Sequence, residues 1–215
     1  MSARLAHLFV GRPSRIDDIK PWTSGIIKHE VFGPVPLRAD NLDGDGQADL
    51  RLHGGPDKAV CVYSTEHYEQ WRREVGVAEC GPGWFGENFS LAGQTEWTVS
   101  LGDIYRIGTA IVQVSQPRGP CSKLARRWGL PDFPKRVVAS LKSGWYVRVL
   151  EEGVVTGGDE LVLQDRLFPH WTIAHVNTLT YARGKEAKRL HDDRMALADC
   201  PVLAASWRED ILSVS

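Results

Sequence analysis

The sequence predicts a mainly β fold, closed or sandwiched, over residues 1–166, followed by a small helical appendage over residues 167–215. Three observations carry this reading. Short β-branched or alternating segments recur up to Arg166. Glycine and proline, 21 and 12 residues, punctuate them as turns. After Pro169 the alternation gives way to apolar residues spaced three and four apart.

In chain order, Ser64 to Val75 reads as a helix, with Ser64 as candidate N-cap and Tyr68 and Trp71 on one face. Ala110 to Ser115 is a β-branched strand. Ser122 to Gly129 reads as a short helix, with Leu124 and Trp128 four apart and Gly129 as its stop. Gly144 to Leu150 alternates Trp145, Val147 and Val149 against Tyr146, Arg148 and Leu150. A turn at Glu151 to Gly153 leads to Val154 and Val155, and Gly157 and Gly158 precede a strand over Glu160 to Leu163. Three helices follow. Ile173, Val176 and Leu179 mark the first, Lys185 to Ala198 the second, and Leu203, Trp207 and Ile211 the third, with Cys200 and Pro201 as the break before it.

Composition excludes several classes. With 42% hydrophobic residues the chain can bury a sizeable core, and a formal net charge of −1 gives no basic field for nucleic acid. No apolar stretch approaches the ~20 residues of a membrane helix. The run from Met1 to Val10 is too short for a secretory signal. The expectation is a soluble cytoplasmic protein. Its four cysteines, Cys61, Cys80, Cys121 and Cys200, form no C-x-x-C pair, so neither a zinc ribbon nor a thioredoxin-type site is expected. In a reducing compartment they are expected as thiols rather than disulfides.

Three stretches carry candidate chemistry. Residues 41–49 place Asn41, Asp43, Asp45, Gly46 and Asp49 in a pattern resembling the start of a calcium loop. Position one is Asn rather than Asp, and Leu52 stands where the closing acidic ligand belongs, so a plain Gly/Asp turn also accounts for it. Next, Gly54 and Gly55 precede Pro56 in a turn whose N–H groups can hold an anion, with His53 and Lys58 as further donors. The alternative is an ordinary turn into the apolar strand Ala59 to Val62, where Cys61 is read as core. Finally, a strand ends at Val114 to Gln116, two prolines fix a turn, and Cys121 stands where a helix begins. A helix start, with Arg118 and Lys123 nearby, favours the thiolate, the form that binds soft metals. Packing beneath the turn is the alternative. The segment Gly83 to Asn88 joins Trp84 and Phe85 to Glu87 and Asn88; it reads either as a binding loop or as a hairpin packed by its aromatics.

Taken in order, these stretches resemble the MOSC family, named for the molybdenum-cofactor sulfurase C-terminal domain. The resemblance rests on Gly44-Asp-Gly-Gln-Ala-Asp49, His53-Gly-Gly-Pro-Asp57, Phe85-Gly-Glu-Asn88, Val99-x-x-Gly-Asp-x-Tyr105 and Val114-Ser-Gln-Pro-Arg-x-Pro-Cys121. The residues from Trp171 to Trp207 look like the three-helix C-terminal segment of that family's bacterial YiiM-like branch. The resemblance implies a closed antiparallel β-barrel that binds a molybdopterin-type molybdenum cofactor, with Cys121 as the metal ligand. It makes the acidic loop a family turn rather than a calcium site. Arg118, Lys123, His53 and Arg148 are the cations expected to meet the cofactor's anionic phosphate, with Gly54, Gly55 and Asn88 as further contacts. Pyridoxal phosphate, used by the desulfurase domain of the larger sulfurases, is not expected, because that domain is absent here.

The implied activity is reduction of N-hydroxylated bases, as in resistance to N-hydroxylated purine analogues. Cys121 would ligate molybdenum, and Asp57 and Glu87 are the carboxyl groups that would deliver protons. There is no dinucleotide fingerprint and no iron–sulfur cysteine array, so a separate flavoprotein is implied as electron donor. The other reading is a non-catalytic carrier of cofactor or sulfur using the same Cys121. The sequence carries no signal for an oligomeric state.

Overall fold

The computed structural model describes residues 2–49 and 54–213. The strands are β1 (Arg4–Val10), β2 (Ser14–Ile16), β3 (Trp22–Ser24), β4 (His29–Glu30), β5 (Val35–Leu37), β6 (Val60–Ser64), β7 (Phe89–Ala92), β8 (Ile104–Ile107), β9 (Ala110–Pro117), β10 (Trp145–Glu151), β11 (Gly153–Val155) and β12 (Leu161–Asp165). The helices are α1 (Tyr68–Val75), α2 (Ser122–Trp128), α3 (Phe133–Ser140), α4 (Ile173–Tyr181), α5 (Gly184–Arg189), α6 (His191–Ala198) and α7 (Ala205–Ser213).

Eight strands form one sheet in the order β12-β8-β9-β10-β6-β7-β1-β4, while β11 pairs with β5 and β2 with β3. All pairings in the large sheet are antiparallel except β6 with β7. The alternating residues expected inside are inside. Val60, Val62, Val112, Val114, Trp145 and Val147 share one core with Leu5 and Leu8 of β1.

The expected closed barrel is corrected to a strongly curled half-barrel. Closure needs a continuous ladder between the two ends of the sheet. Here β1 meets the approach to β12 through an isolated bridge, Arg4 to Glu160, and a few backbone bonds such as Leu5 N to Asp159 O, 2.9 Å.

The helices differ from expectation in two places. The sequence reading has no counterpart to α3, although Phe133 and Val137, four apart, are its buried residues. The single helix expected over Lys185 to Ala198 is two, α5 and α6, interrupted at Leu190, so four helices rather than three follow β12. Ser64 does cap the turn that leads into α1, its side chain accepting from the Glu66 N–H at 3.3 Å. Gly76 and Gly129 end α1 and α2 in the left-handed conformation, satisfying the last carbonyls.

α1, α2, α3 and the loop through Trp84 and Phe85 enclose a second, aromatic core with Tyr63, Tyr68, Trp71, Leu124 and Phe133. Trp84 and Phe85 are therefore packing residues of a buried loop, and only the glycine and amide that follow remain near open space. The C-terminal helices form a third core around Leu101, Trp171, Leu179, Leu197 and Trp207. No helix among the described residues is long and apolar enough to cross a membrane.

Candidate functional site

Strand pleating builds one wall of the site. On β6, Val60 and Val62 face the core, so Cys61 faces the other way. On β10, Trp145 and Val147 face the core, so Tyr146 faces the other way. Tyr146 is the direct cross-strand neighbour of Cys61 on one side and of Gln116 on the other. Beyond Gln116, β9 runs out into the turn that carries Arg118 and Cys121. Cys61, Tyr146, Arg118 and Cys121 consequently line a single open cleft. Its opposite side comes from the backbone around Gly25 and Lys28, from residues 46–48, and from Gly86 and Asn88. The cleft encloses about 660 Å³ of non-protein space, open solvent included.

Close backbone approaches shape that second side. An added Cβ on Gly25 would sit 2.3 Å from the Gly46 carbonyl oxygen, which holds the 46–48 loop against the 25–28 segment. Gly86, at φ +73°, would place a Cβ 2.6 Å from Ile26 Cγ1. The 41–49 loop, weighed as a calcium loop, uses its carboxylates within the protein. Asp45 Oδ1 accepts from the Gly11 N–H at 2.8 Å and from Lys28 Nζ, both side chains being almost fully buried. Asp43 pairs with Arg38 at 3.3 Å.

Cys121 is the N-cap of α2, in extended geometry, and its Sγ accepts from the Lys123 N–H at 3.4 Å. The thiol is half-buried. Arg118 is 7% exposed; its Nη2 donates to the Phe85 carbonyl at 2.7 Å, and its guanidinium lies 5.8 Å from the Phe85 ring centroid. Burial works against the Arg118 charge, but Cys61, Tyr146, Cys121 and Glu87 around it raise its pKa above the ordinary guanidinium value. Tyr146 faces the same cleft as the Cys61 thiol and the Arg118 guanidinium and interacts electrostatically with both. Burial pushes the Cys61 thiol up, with Arg118 opposing the shift, so Cys61 is held as a neutral thiol.

Charge in the cleft is one-sided. Lys28, Lys58, Arg118 and Lys123 line it, and no carboxylate does among the described residues. Asn88 also lines it while tying three strands together. Its Oδ1 accepts from the Cys61 N–H at 3.1 Å, and its Nδ2 donates to the Phe9 carbonyl at 3.2 Å.

The other residues singled out in the sequence stand elsewhere. Gly54 lines the cleft at φ +88°, and Gly55 leads into the turn Pro56–Lys58. Asp57 on that turn accepts from Arg148 Nε at 2.8 Å, and Arg148 also donates to Gln113 Oε1 at 2.9 Å and to the Val202 carbonyl at 2.9 Å. Both are outside the cleft lining, and Arg148 serves as a clamp between β10, β9 and the C-terminal segment. Glu87 is fully buried; it accepts from Tyr68 Oη, from the Gly83 N–H at 2.6 Å and from Ser90 Oγ at 2.6 Å, away from the cleft. His53 lies outside the described residues.

Sequence reasoning missed Cys61, Tyr146 and Lys28. For the first two a signal existed: the period-two pattern that puts the valines inside puts Cys61 and Tyr146 on the opposite face. Lys28 carried no signal, because a contact between residues 28 and 45 is set by tertiary packing.

A curled β-sheet that sets a thiol beside a cation-lined cleft has the chemistry to accommodate an anionic ligand with a soft centre. The MOSC domain matches residues 49–162, more than half of the chain, and the chain belongs to the MOSC domain family. It is 40% identical over 206 residues to the uncharacterised protein YflK of Bacillus subtilis (strain 168), covering 95% of this chain and 91% of that protein. It is 36% identical over 166 residues to a protein named "Reductase" from Gibberella moniliformis, covering 75% of this chain but 29% of that longer protein. The crystal structure of YiiM from Geobacillus stearothermophilus superposes with a TM-score of 0.81 at 40% identity, covering 98% of this chain and 97% of that one.

Proposed function

We propose that this protein binds a molybdenum cofactor in the cleft and reduces N-hydroxylated bases with electrons from a separate flavoprotein. The observation that carries the reading is the Cys121 thiol in a cleft whose charged lining residues, among those described, are all cations. The donor set fits such a group. No cluster of three or more His, Cys, Asp or Glu able to hold a metal ion is found among the described residues. Cys121 therefore suits a metal that arrives with its own sulfur chelate and needs one further soft ligand. Membership of the MOSC family and the reductase-named relative lend support.

When bound, the cofactor would supply the two-electron chemistry. The chain supplies placement. Cys121 is fixed as a helix cap, so its sulfur is presented at one position rather than sampled by a mobile side chain. Arg118 and Lys123 provide the positive charge that a pterin phosphate needs, while Lys28 is committed to Asp45, and Gly54 and Gly86 let the backbone approach closely.

The test is chemical analysis of protein made in a host that synthesises the cofactor. Stoichiometric molybdenum, pterin fluorescence after release, and reduction of an N-hydroxylated purine with a flavoprotein donor are the expected results. Molybdenum without turnover points instead to a carrier. Absence of molybdenum from wild type prepared this way, with Cys121 intact, overturns the reading.

A further inference from the structure

We propose, resting on that reading, that Tyr146 is the proton donor of the cleft, delivering its phenolic proton to the hydroxyl oxygen that leaves nitrogen. The two carboxyl groups expected to move protons stand elsewhere. Asp57 is bound by Arg148, and Glu87 is enclosed by Tyr68, Gly83 and Ser90. No carboxylate lines the cleft among the described residues, whereas the Tyr146 phenol, an uncharged acid, does. A lysine there would lose, on donating, the charge that an anionic ligand requires. A phenol in contact with a guanidinium instead becomes an anion beside a cation.

The geometry fits donation. Tyr146 lines the cleft beside Arg118, and Arg118 has only N–H groups to offer, so toward it the phenol oxygen can only accept. The phenol's own hydrogen is then free to point elsewhere. Arg118 is itself fixed by the Phe85 carbonyl, so the cation beside Tyr146 keeps its place. Cys61, the other neighbour, is a neutral thiol and competes only as a weak acceptor. Burial and Cys61 raise the Tyr146 pKa while Arg118 opposes them, so the phenol carries its proton at neutral pH.

The step balances: an N-hydroxylated base, two electrons and two protons give the parent base, with N–H in place of N–OH, and one water. The N–O bond breaks; one O–H bond and one N–H bond form. The flavoprotein donor supplies both electrons. Tyr146 gives the proton that completes water, solvent gives the one that ends on nitrogen, and the Tyr146 phenolate, held by Arg118, is reprotonated from solvent.

Tyr146→Phe tests this in cofactor-loaded protein, since it deletes the O–H and keeps the ring. Molybdenum content should match wild type, and kcat should fall about 100-fold or more with KM changed little. A second readout needs no turnover. Without reductant, an N-hydroxylated purine should bind the variant up to ~10-fold more weakly than wild type, while the parent purine binds both equally. Wild-type binding and turnover in Tyr146→Phe overturn the assignment alone. So does loss of molybdenum from the variant, which would make Tyr146 a cofactor-holding residue. Wild type that holds no molybdenum, or binds no N-hydroxylated purine, brings down the parent reading together with it.

Discussion

A thiol ligates or attacks as thiolate, and the four cysteines meet that requirement differently. Burial pushes the Cys61 and Cys200 thiols up, and pushes Cys80 up to about 12. Cys121 is half-buried at the first turn of α2, with a backbone N–H on its sulfur. Iodoacetamide at neutral pH, followed by peptide mass spectrometry, should therefore label Cys121 first; faster labelling of Cys61 would refute the argument. Substitution should separate chemistry from packing in the same cleft. Serine is among the preferred N-caps, so Cys121→Ser should melt within a degree or two of wild type, with a stability change of ~0.5 kcal/mol or less. It should nonetheless abolish molybdenum-dependent reduction, because a hydroxyl is a poor ligand for a soft centre. Arg118→Ala should behave in the opposite way. It leaves the buried Phe85 carbonyl without its donor, at a cost of about 1–3 kcal/mol seen in denaturant melts, whether or not cofactor is present.

At the scale of elements, the cleft depends on backbones that approach too closely for side chains. Gly86 is left-handed and faces Ile26, so Gly86→Ala combines backbone strain with a steric clash and should cost about 1–3 kcal/mol. Gly157→Ala is the matched control, because nothing lies within 4 Å of its added Cβ. Equal melting temperatures for the two variants would mean that the 83–88 loop yields without cost. The same comparison explains what can be read from the chain alone. Alternation within one strand is local, so the inward valines of β9 and β10, and the turn into α2 that carries Cys121, are legible. So, in principle, is α3, whose Phe133 and Val137 repeat at helical spacing. Cys61 reads as core because its strand is apolar throughout, although the pleat alone places it opposite Val60 and Val62. Half-barrel closure, the parallel pairing of β6 with β7, and the meeting of Lys28 with Asp45 join residues far apart in sequence. No local period encodes those contacts, and they are where the expectation of a closed antiparallel barrel fails.

For the whole molecule, the question is whether residues 167–215 are an appendage or part of the sheet's support. Ile173, the first residue of α4, belongs to the main β core. Leu101 N–H donates to the Trp171 carbonyl at 2.8 Å, Ile173 N–H to Val99 at 2.9 Å, and Ala174 N–H to Glu96 at 2.8 Å. Glu96 is itself fully buried, accepting from His67 at 2.6 Å and from the Gly144 N–H at 2.7 Å where β10 begins. Farther along, Ala204 N–H donates to the Ser115 carbonyl at 3.1 Å, and an added Cβ on Gly119 would lie 3.7 Å from the Trp207 ring. The C-terminal helices thus brace the strand and the turn that present Arg118 and Cys121. Trp207→Ala should remove that brace locally, costing about 3–5 kcal/mol as a large aromatic leaves a buried position. Ending the chain at Arg166 should do more, because it exposes Leu101 and one face of the main core and strips the buried Glu96 region of its α4 contacts. The shortened protein should lack a cooperative thermal transition and should not retain molybdenum when made in a cofactor-competent host. A sharp transition near the wild-type temperature, with the metal still bound, would show that the curled sheet holds the Cys121 turn in place without its helices.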